Sequence, residues 1–309
     1  MMKIGIPRAL LYHVYEDLWL NFFKNLNIET VLSPETNKAI VKKGITHSID
    51  ESCYSFKVFM GHVEYLLDKC DMIFVPRIEN SGIREEYCTR LFGVYDLVRN
   101  TFPNAKLLNA DVNYLYRRKE PDAFAQIGET LGKSREESLE AYKKALATAK
   151  AIKEEKILRQ EALLNSDDPK VLIVSHAYNS LDASIGKDIT DFFAENKFEV
   201  AYTNIVDSRA ARGEARRIYG SRIYWKLSAE TVGGIELCKD RVDGIVLIST
   251  FPCGPDSIFN ELAIRTIKDK PILSLVIDEQ DAGAGLQTRL ESFVDIIAAK
   301  RKGAANYGA

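Results

Sequence analysis

The sequence predicts an α/β protein of two related domains, each a parallel sheet flanked by helices, joined by a helical linker. Three observations predict it. Short apolar runs at residues 4–6, 72–75, 171–174 and 245–248 read as buried strands, and apolar residues at helical spacing follow them. A charged helical stretch separates two such series. Asp71-Met72-Ile73-Phe74-Val75 and Asp243-Gly244-Ile245-Val246-Leu247 hold matching places in the two halves, a sign of duplication. The expected boundaries are an N-terminal domain over 1–120, a linker over 121–166, a C-terminal domain over 167–302 and a tail over 303–309.

Taken in order, Ile4 and Ile6 open a strand that stops at Pro7, and Leu11, Tyr15, Leu18 and Phe22 mark the helix behind it. Residues 30–33 predict a second strand, and a polar segment containing Gly44 leads to Cys53. Phe56, Phe59, Val63 and Leu66 place a helix directly after that cysteine. A strand over 72–75 ends at Pro76, the loop 77–87 leads to Cys88, and Leu91, Val94, Tyr95 and Val98 mark another helix. Residues 105–108 are a weaker strand candidate. In the linker, Pro121 suits a first helical turn and Gly132 a helix end, and Ser134 with Glu137 forms a capping box before a long charged helix. The second domain repeats the pattern with strands at 171–174, 199–202, 245–248 and 272–277, and a closing helix around Phe293, Ile296 and Ile297.

Composition narrows the function. The chain has 309 residues, 46% hydrophobic, with 42 Lys and Arg against 44 Asp and Glu. A formal charge of −2 does not advertise a nucleic-acid partner. No apolar run approaches the roughly 20 residues that span a bilayer, and the strand at Lys3 leaves no room for a signal peptide, so a cytoplasmic, soluble protein without membrane contact is expected. Five cysteines, odd in number and widely spaced, do not form a disulfide framework.

Those cysteines sort into two groups. Cys53, Cys88 and Cys253 each precede a helix and fall on the sheet edge where strands end, which is where α/β proteins bind ligands. Cys253 sits in Ser249-Thr250-Phe251-Pro252-Cys253-Gly254-Pro255-Asp256-Ser257, between an apolar strand and the next helix. Cys70 and Cys238 precede strands and belong to the opposite edge or a core. Three thiols from both halves, meeting across an interdomain cleft, would suit one metal centre, since helix N-termini favour negative charge by roughly 0.3–1 kcal/mol. No C-x-x-C pair is present, against a zinc ribbon or a bacterial ferredoxin pattern. A cysteine before a helix also serves as a small buried hydrophobe or a lone reactive thiol.

Other candidates lie on the same edge. His176 follows the strand at 171–174, and Asp256, Asp278 and Glu279 are carboxylates suited to proton transfer, although capping explains Asp256 equally well. His62, inside the helix after Cys53, reads as packed or hydrogen-bonded. Arg77 and Arg84 could meet a phosphate or simply face solvent. Gly283 and Gly285 match no phosphate-binding fingerprint.

Several stretches resemble a known family: Lys3-Ile4-Gly5-Ile6-Pro7-Arg8-Ala9-Leu10-Leu11, Asp50-Glu51-Ser52-Cys53, Gly61-His62-Val63, Ile73-Phe74-Val75-Pro76-Arg77, Tyr87-Cys88, Tyr224-Trp225-Lys226, Phe251-Pro252-Cys253-Gly254-Pro255-Asp256-Ser257, and Asp278-Glu279 with Ala284-Gly285-Leu286-Gln287-Thr288-Arg289-Leu290-Glu291. The chain resembles the domain family associated with acyl-CoA dehydratase activases. That family is similar to the iron-sulfur subunits of 2-hydroxyacyl-CoA dehydratases, benzoyl-CoA reductases and double-cubane cluster proteins. The resemblance implies two Rossmann-like domains around a 4Fe-4S cluster held by Cys53, Cys88 and Cys253. It also implies an ATP-dependent activase as electron donor, an oxygen-sensitive anaerobic chemistry and a small substrate, which in the related enzymes is CoA-linked. Three motif cysteines match one cluster per chain, unless two chains, as a homodimer or with a related subunit, pool their ligands. His176, Asp278 and Glu279 are the catalytic candidates. Two alternatives stand beside this: a non-catalytic binding or scaffold subunit of an activase complex, and a thiol-redox protein using Cys53 and Cys88.

Overall fold

The computed structural model describes residues 2–220, 223–280 and 283–307. It is an α/β protein whose strands pair in parallel. The chain divides into two compact units, Met1–Glu155 with Tyr224–Lys226, and Lys156–Ile223 with Leu227–Ala309.

In the first unit, β1 (Lys3–Ile6), α1 (Tyr12–Asn25), β2 (Glu29–Leu32), α2 (Lys38–Thr46), α3 (Tyr54–Leu66) and β3 (Met72–Phe74) come first. They are followed by β4 (Arg77–Asn80), α4 (Thr89–Phe92), α5 (Val94–Thr101), β5 (Leu107–Leu108), β6 (Asp111–Asn113), α6 (Glu120–Thr130) and α7 (Arg135–Leu164), the last running on into the second unit. The main sheet has the order β2-β1-β3-β5, and β4 pairs separately with β6. The core is aromatic: Phe22, Phe23, Phe74 and Phe124 are fully buried, each worth about 1.5–3 kcal/mol on burial. Phe124 of α6 meets Phe22 edge-on at 4.8 Å, which docks that helix on α1. The expected capping box starts α7, with Glu137 N–H donating to Ser134 Oγ at 3.1 Å and Ser134 N–H to Glu137 Oε2 at 2.9 Å.

The second unit contains β7 (Lys170–Val174), α8 (Ala177–Ser180), α9 (Lys187–Glu195), β8 (Glu199–Tyr202), α10 (Ser208–Tyr219) and α11 (Lys226–Cys238). After these come β9 (Gly244–Thr250), α12 (Gly254–Thr266), β10 (Ile272–Ile277) and α13 (Gly283–Tyr307). Its sheet runs β10-β9-β7-β8. β7 and β9 are buried at every position, which explains their unbroken apolar runs. Of the segment expected as a tail, α13 carries the chain to Tyr307, and 308–309 lie outside the described residues.

Numbered within each unit's main sheet, both strand orders are 2-1-3-4, and the detail repeats as well. Lys3 N–H donates to Asp71 Oδ2 and Lys170 N–H to Asp243 Oδ2, each at 2.7 Å. Asp71 N–H returns to Lys3 O at 2.9 Å, and Asp243 N–H to Lys170 O at 2.8 Å. The helices that lead into each second strand, α1 and α9, carry a Phe-Phe pair near their ends, followed by a left-handed residue, Asn27 (φ 55°) or Lys197 (φ 63°), just before the strand.

The sequence reading missed some elements. The polar segment around Gly44 is helix α2, and part of the loop after Pro76 is strand β4, paired with an equally unforeseen β6. Strands of four and three residues carry too little periodicity to stand out.

Candidate functional site

Cys53, Cys88 and Cys253 are the N-cap residues of α3, α4 and α12. Their backbones are extended, with φ, ψ of −62°, 147° at Cys53, −64°, 156° at Cys88 and −80°, 108° at Cys253. In each case the carbonyl begins the helix: Cys53 O accepts from Phe56 and Lys57 N–H, Cys88 O from Leu91 and Phe92 N–H, and Cys253 O from Ser257 N–H. None of the three thiols makes a cap hydrogen bond. Side chains cap other helices: Asn37 accepts from Ala39 and Ile40 N–H to start α2, and Asp207 from Ala210 N–H to start α10, while α1, α6, α8 and α9 also begin without a side-chain cap bond.

In the first unit, the turns led by Cys53 and Cys88 pack together, with the Arg90 guanidinium over the Phe56 ring at 5.7 Å. Ser52, immediately before Cys53, is buried, and its hydroxyl has no hydrogen-bond partner. The loop before Cys88 is tied down by Tyr224-Trp225-Lys226: Glu86 N–H donates to Tyr224 O at 3.1 Å and Lys226 N–H to Glu86 O at 2.8 Å. The Lys226 ammonium lies 5.8 Å from the Tyr87 ring centroid, and the Tyr87 and Tyr15 hydroxyls hydrogen-bond. The sequence reading noted the Tyr224-Trp225-Lys226 stretch but had no signal for this placement, which depends on long-range bridging.

In the second unit, β7, β9 and β10 end on one edge. His176 follows β7 and hydrogen-bonds through Nε2 to Asp256 Oδ1 at 2.9 Å, both side chains being nearly buried at 7% and 12% exposure. Asp256 is the third residue of α12, the helix that Cys253 caps. A narrow cavity of about 10 Å³ lies beside the pair, lined in part by Ser228, Thr231 and Asn260, with room for no more than about one water molecule. At the end of β10, Asp278 Oδ1 accepts from Gln280 N–H at 2.7 Å. That carboxylate oxygen closes its own turn, and Glu279 beside it is partly exposed.

The remaining candidates are structural. His62 is fully buried, with Nδ1 2.8 Å from Ser33 Oγ and Nε2 2.9 Å from Thr36 Oγ1. Burial, with His13 and Arg8 nearby, lowers its pKa to about 3, so it stays neutral. Arg77 pairs with Asp96 at 3.6 Å. Cys238 lies in the core of the second unit, where burial pushes its thiol up to about 11. Cys70 points its thiol at Leu66 O, 3.3 Å away, and burial raises its pKa too. Neither is a ready thiolate.

Among the described residues, no group of three or more His, Cys, Asp or Glu side chains is gathered as a metal site, no cysteine is in a disulfide, and no helix is long and apolar enough to cross a membrane.

The family model for the CoA enzyme activase uncharacterised domain matches residues 3–206. The chain belongs to this family. For this activase-associated domain, the match runs from β1 through β8, with Cys53, Cys88 and His176 inside it and Tyr224-Trp225-Lys226 and Cys253 beyond it. No curated protein matches the chain. Among solved structures, the SBP FpvC from Pseudomonas aeruginosa in complex with Mn2+ aligns over 98% of this chain and 99% of its own. At 12% identity and a TM-score of 0.30 that likeness is too slight to inform fold or function.

Proposed function

We propose that this activase-associated domain is an iron-sulfur protein of the 2-hydroxyacyl-CoA dehydratase-like superfamily. In this reading its two units are Rossmann-like domains, and one 4Fe-4S cluster takes Cys53 and Cys88 from the first and Cys253 from the second. An ATP-dependent activase supplies the electron, and a small, CoA-linked substrate or a partner subunit receives it. When bound, the cluster supplies low-potential one-electron chemistry.

The observation that carries the reading is the use of cysteine at three helix N-caps. Ser, Thr, Asp or Asn would cap these helices better, by about 0.5–2 kcal/mol relative to a non-capping side chain, and the chain uses Asn37 and Asp207 in that way elsewhere. Three thiols that forgo this stabilisation suit a second task. The donor set fits a thiolate-ligated cluster, and Cys53 and Cys253 sit at the positive ends of 13-residue helices, which favours an anionic ligand there. The partnerless Ser52 hydroxyl supports it further, as a donor beside Cys53. Around that centre, His176, Asp278 and Glu279 are the groups able to hold or move a proton on the second unit's edge.

Anaerobic reconstitution, iron and sulfide analysis and EPR of the reduced protein test the reading. About four irons per chain are expected for a 4Fe-4S cluster, with loss of the signal in Cys53→Ala, Cys88→Ala and Cys253→Ala. A colourless, iron-free wild type after reconstitution would overturn it.

A further inference from the structure

We infer that His176 is a positioning residue for Cys253: by binding Asp256, it fastens the first turn of α12 to the end of β7 and so sets where the Cys253 sulfur stands. The functional meaning rests on the reading of Cys253 as a ligand, while the clamp itself rests on geometry alone.

In a strand order of 2-1-3-4, the first and third strands lie side by side while their following connections diverge, which opens a crevice at their C-terminal ends. In the second unit these strands are β7 and β9, paired in register from Val171 with Gly244 to Val174 with Leu247. His176 comes from one side of the crevice and Asp256 from the other, and their 2.9 Å hydrogen bond spans it. The imidazole is itself held in place. Ser175 Oγ donates to Ile248 O at 2.8 Å across the same strand pair, the Tyr178 ring stacks on His176 at 4.9 Å and 26°, and Nδ1 faces Thr231 Oγ1 at 3.5 Å. A histidine locked on these sides fixes its carboxylate partner in turn.

The start of α12 needs such a tie. The Cys253 thiol makes no cap bond, and Pro255 in the first turn has no N–H to offer. A Cβ placed on Gly254 would meet nothing within 4 Å, so the outer side of the turn is open. An acidic residue at the third helical position commonly reaches back to the N-cap N–H. Here Cys253 N–H donates to Thr250 O at 2.8 Å, and Asp256 Oδ1 accepts from His176 Nε2. The turn is anchored to the sheet by that carboxylate, and the burial of both groups makes the anchor strong.

Hydrogen exchange of the full-length, metal-free protein, resolved by mass spectrometry, reads the clamp directly in wild type, His176→Ala and His176→Gln. Loss of one charge-assisted hydrogen bond predicts exchange at least about tenfold faster over residues 251–259 in His176→Ala, with β9 and α11 unchanged. The glutamine amide nitrogen stands close to where Nε2 stood, so His176→Gln is expected to exchange as wild type does. Equal acceleration across the second unit, or a failure of glutamine to rescue, would overturn the clamp. In reconstituted protein, the EPR line shape is expected to change in His176→Ala and return in His176→Gln. An unchanged spectrum in an iron-loaded His176→Ala variant would overturn the positioning role. A wild type that takes up no iron would remove the ligand reading, with the exchange experiment still deciding the clamp.

Discussion

The first unit fastens Asp71 to Lys3 and the second fastens Asp243 to Lys170, through the same two backbone hydrogen bonds at the start of the same pair of strands. At the other end of the sheets the two units part company. In the first, the buried histidine, His62, sits between two hydroxyls and is kept neutral. In the second, His176 faces a carboxylate from α12, the helix that follows β9. One construction plan thus supports two kinds of edge. The histidine among hydroxyls ties α3 to the segment after β2, whereas the histidine paired with an acid ties the end of β7 to the start of α12. The elements that build the sheet repeat, and the residues that close its crevice do not.

The largest expected effect comes from breaking the helix packing on which each edge rests. A Cβ at Gly61 would stand 2.0 Å from Ile40 O, where α3 crosses α2, and one at Gly233 would stand 1.7 Å from Ala211 O, where α11 crosses α10. Alanine at either site forces the helices apart at a cost of about 3 kcal/mol. Urea denaturation measures the loss, and hydrogen exchange is expected to confine it to the unit that carries the change. Equal loosening of both units would deny that they are separate packing units.

The next effect tests the first unit's buried histidine by pH. His62 has a folded pKa of about 3 against an ordinary value of 6.5, so between those values the unfolded chain binds the extra proton. Its contribution to stability is therefore complete above about pH 6.5 and is lost as the pH falls towards 3, at about 1.4 kcal/mol per pH unit. Denaturation at pH 7 and pH 5 checks the slope, which is expected to flatten by that amount in His62→Gln. An unchanged slope in that variant would mean that His62 is not the neutral, buried group described.

The smallest effect tests the cysteine caps themselves. In metal-free protein, Cys53→Ser places a better capping side chain at an N-cap whose backbone is already extended, and a gain of about 0.5 kcal/mol is expected. Urea titration detects it as a raised midpoint at unchanged slope. A loss would show that the thiol packs better than a hydroxyl would cap, and would weaken the case that Cys53 is kept for a second task.

Much of this was legible beforehand. The helices behind Cys53, Cys88 and Cys253 announce themselves by their apolar spacing, and the structure places each cysteine at the N-cap. The buried strands β7 and β9 follow from unbroken β-branched and aliphatic runs. The repeat was visible in Asp71 and Asp243, and it was also present, unnoticed, in the Phe22-Phe23 to Glu29 and Phe192-Phe193 to Glu199 spacings. The ribbon of β4 and β6 was not legible, because strands so short are defined by their partners rather than by their own pattern.

By itself, the sequence determined the strands of the two main sheets, the helices behind the three cysteines and where those cysteines stand, because periodicity, proline and N-terminal position act over a few residues. Only the tertiary structure decided that His176 meets Asp256 and that Tyr224-Trp225-Lys226 secures the loop before Cys88. Those partners are far apart in the chain, and their meeting depends on strand register and on helix crossings that no local pattern records. The pairing of Val174 with Leu247 turns two separate polar residues into one clamp.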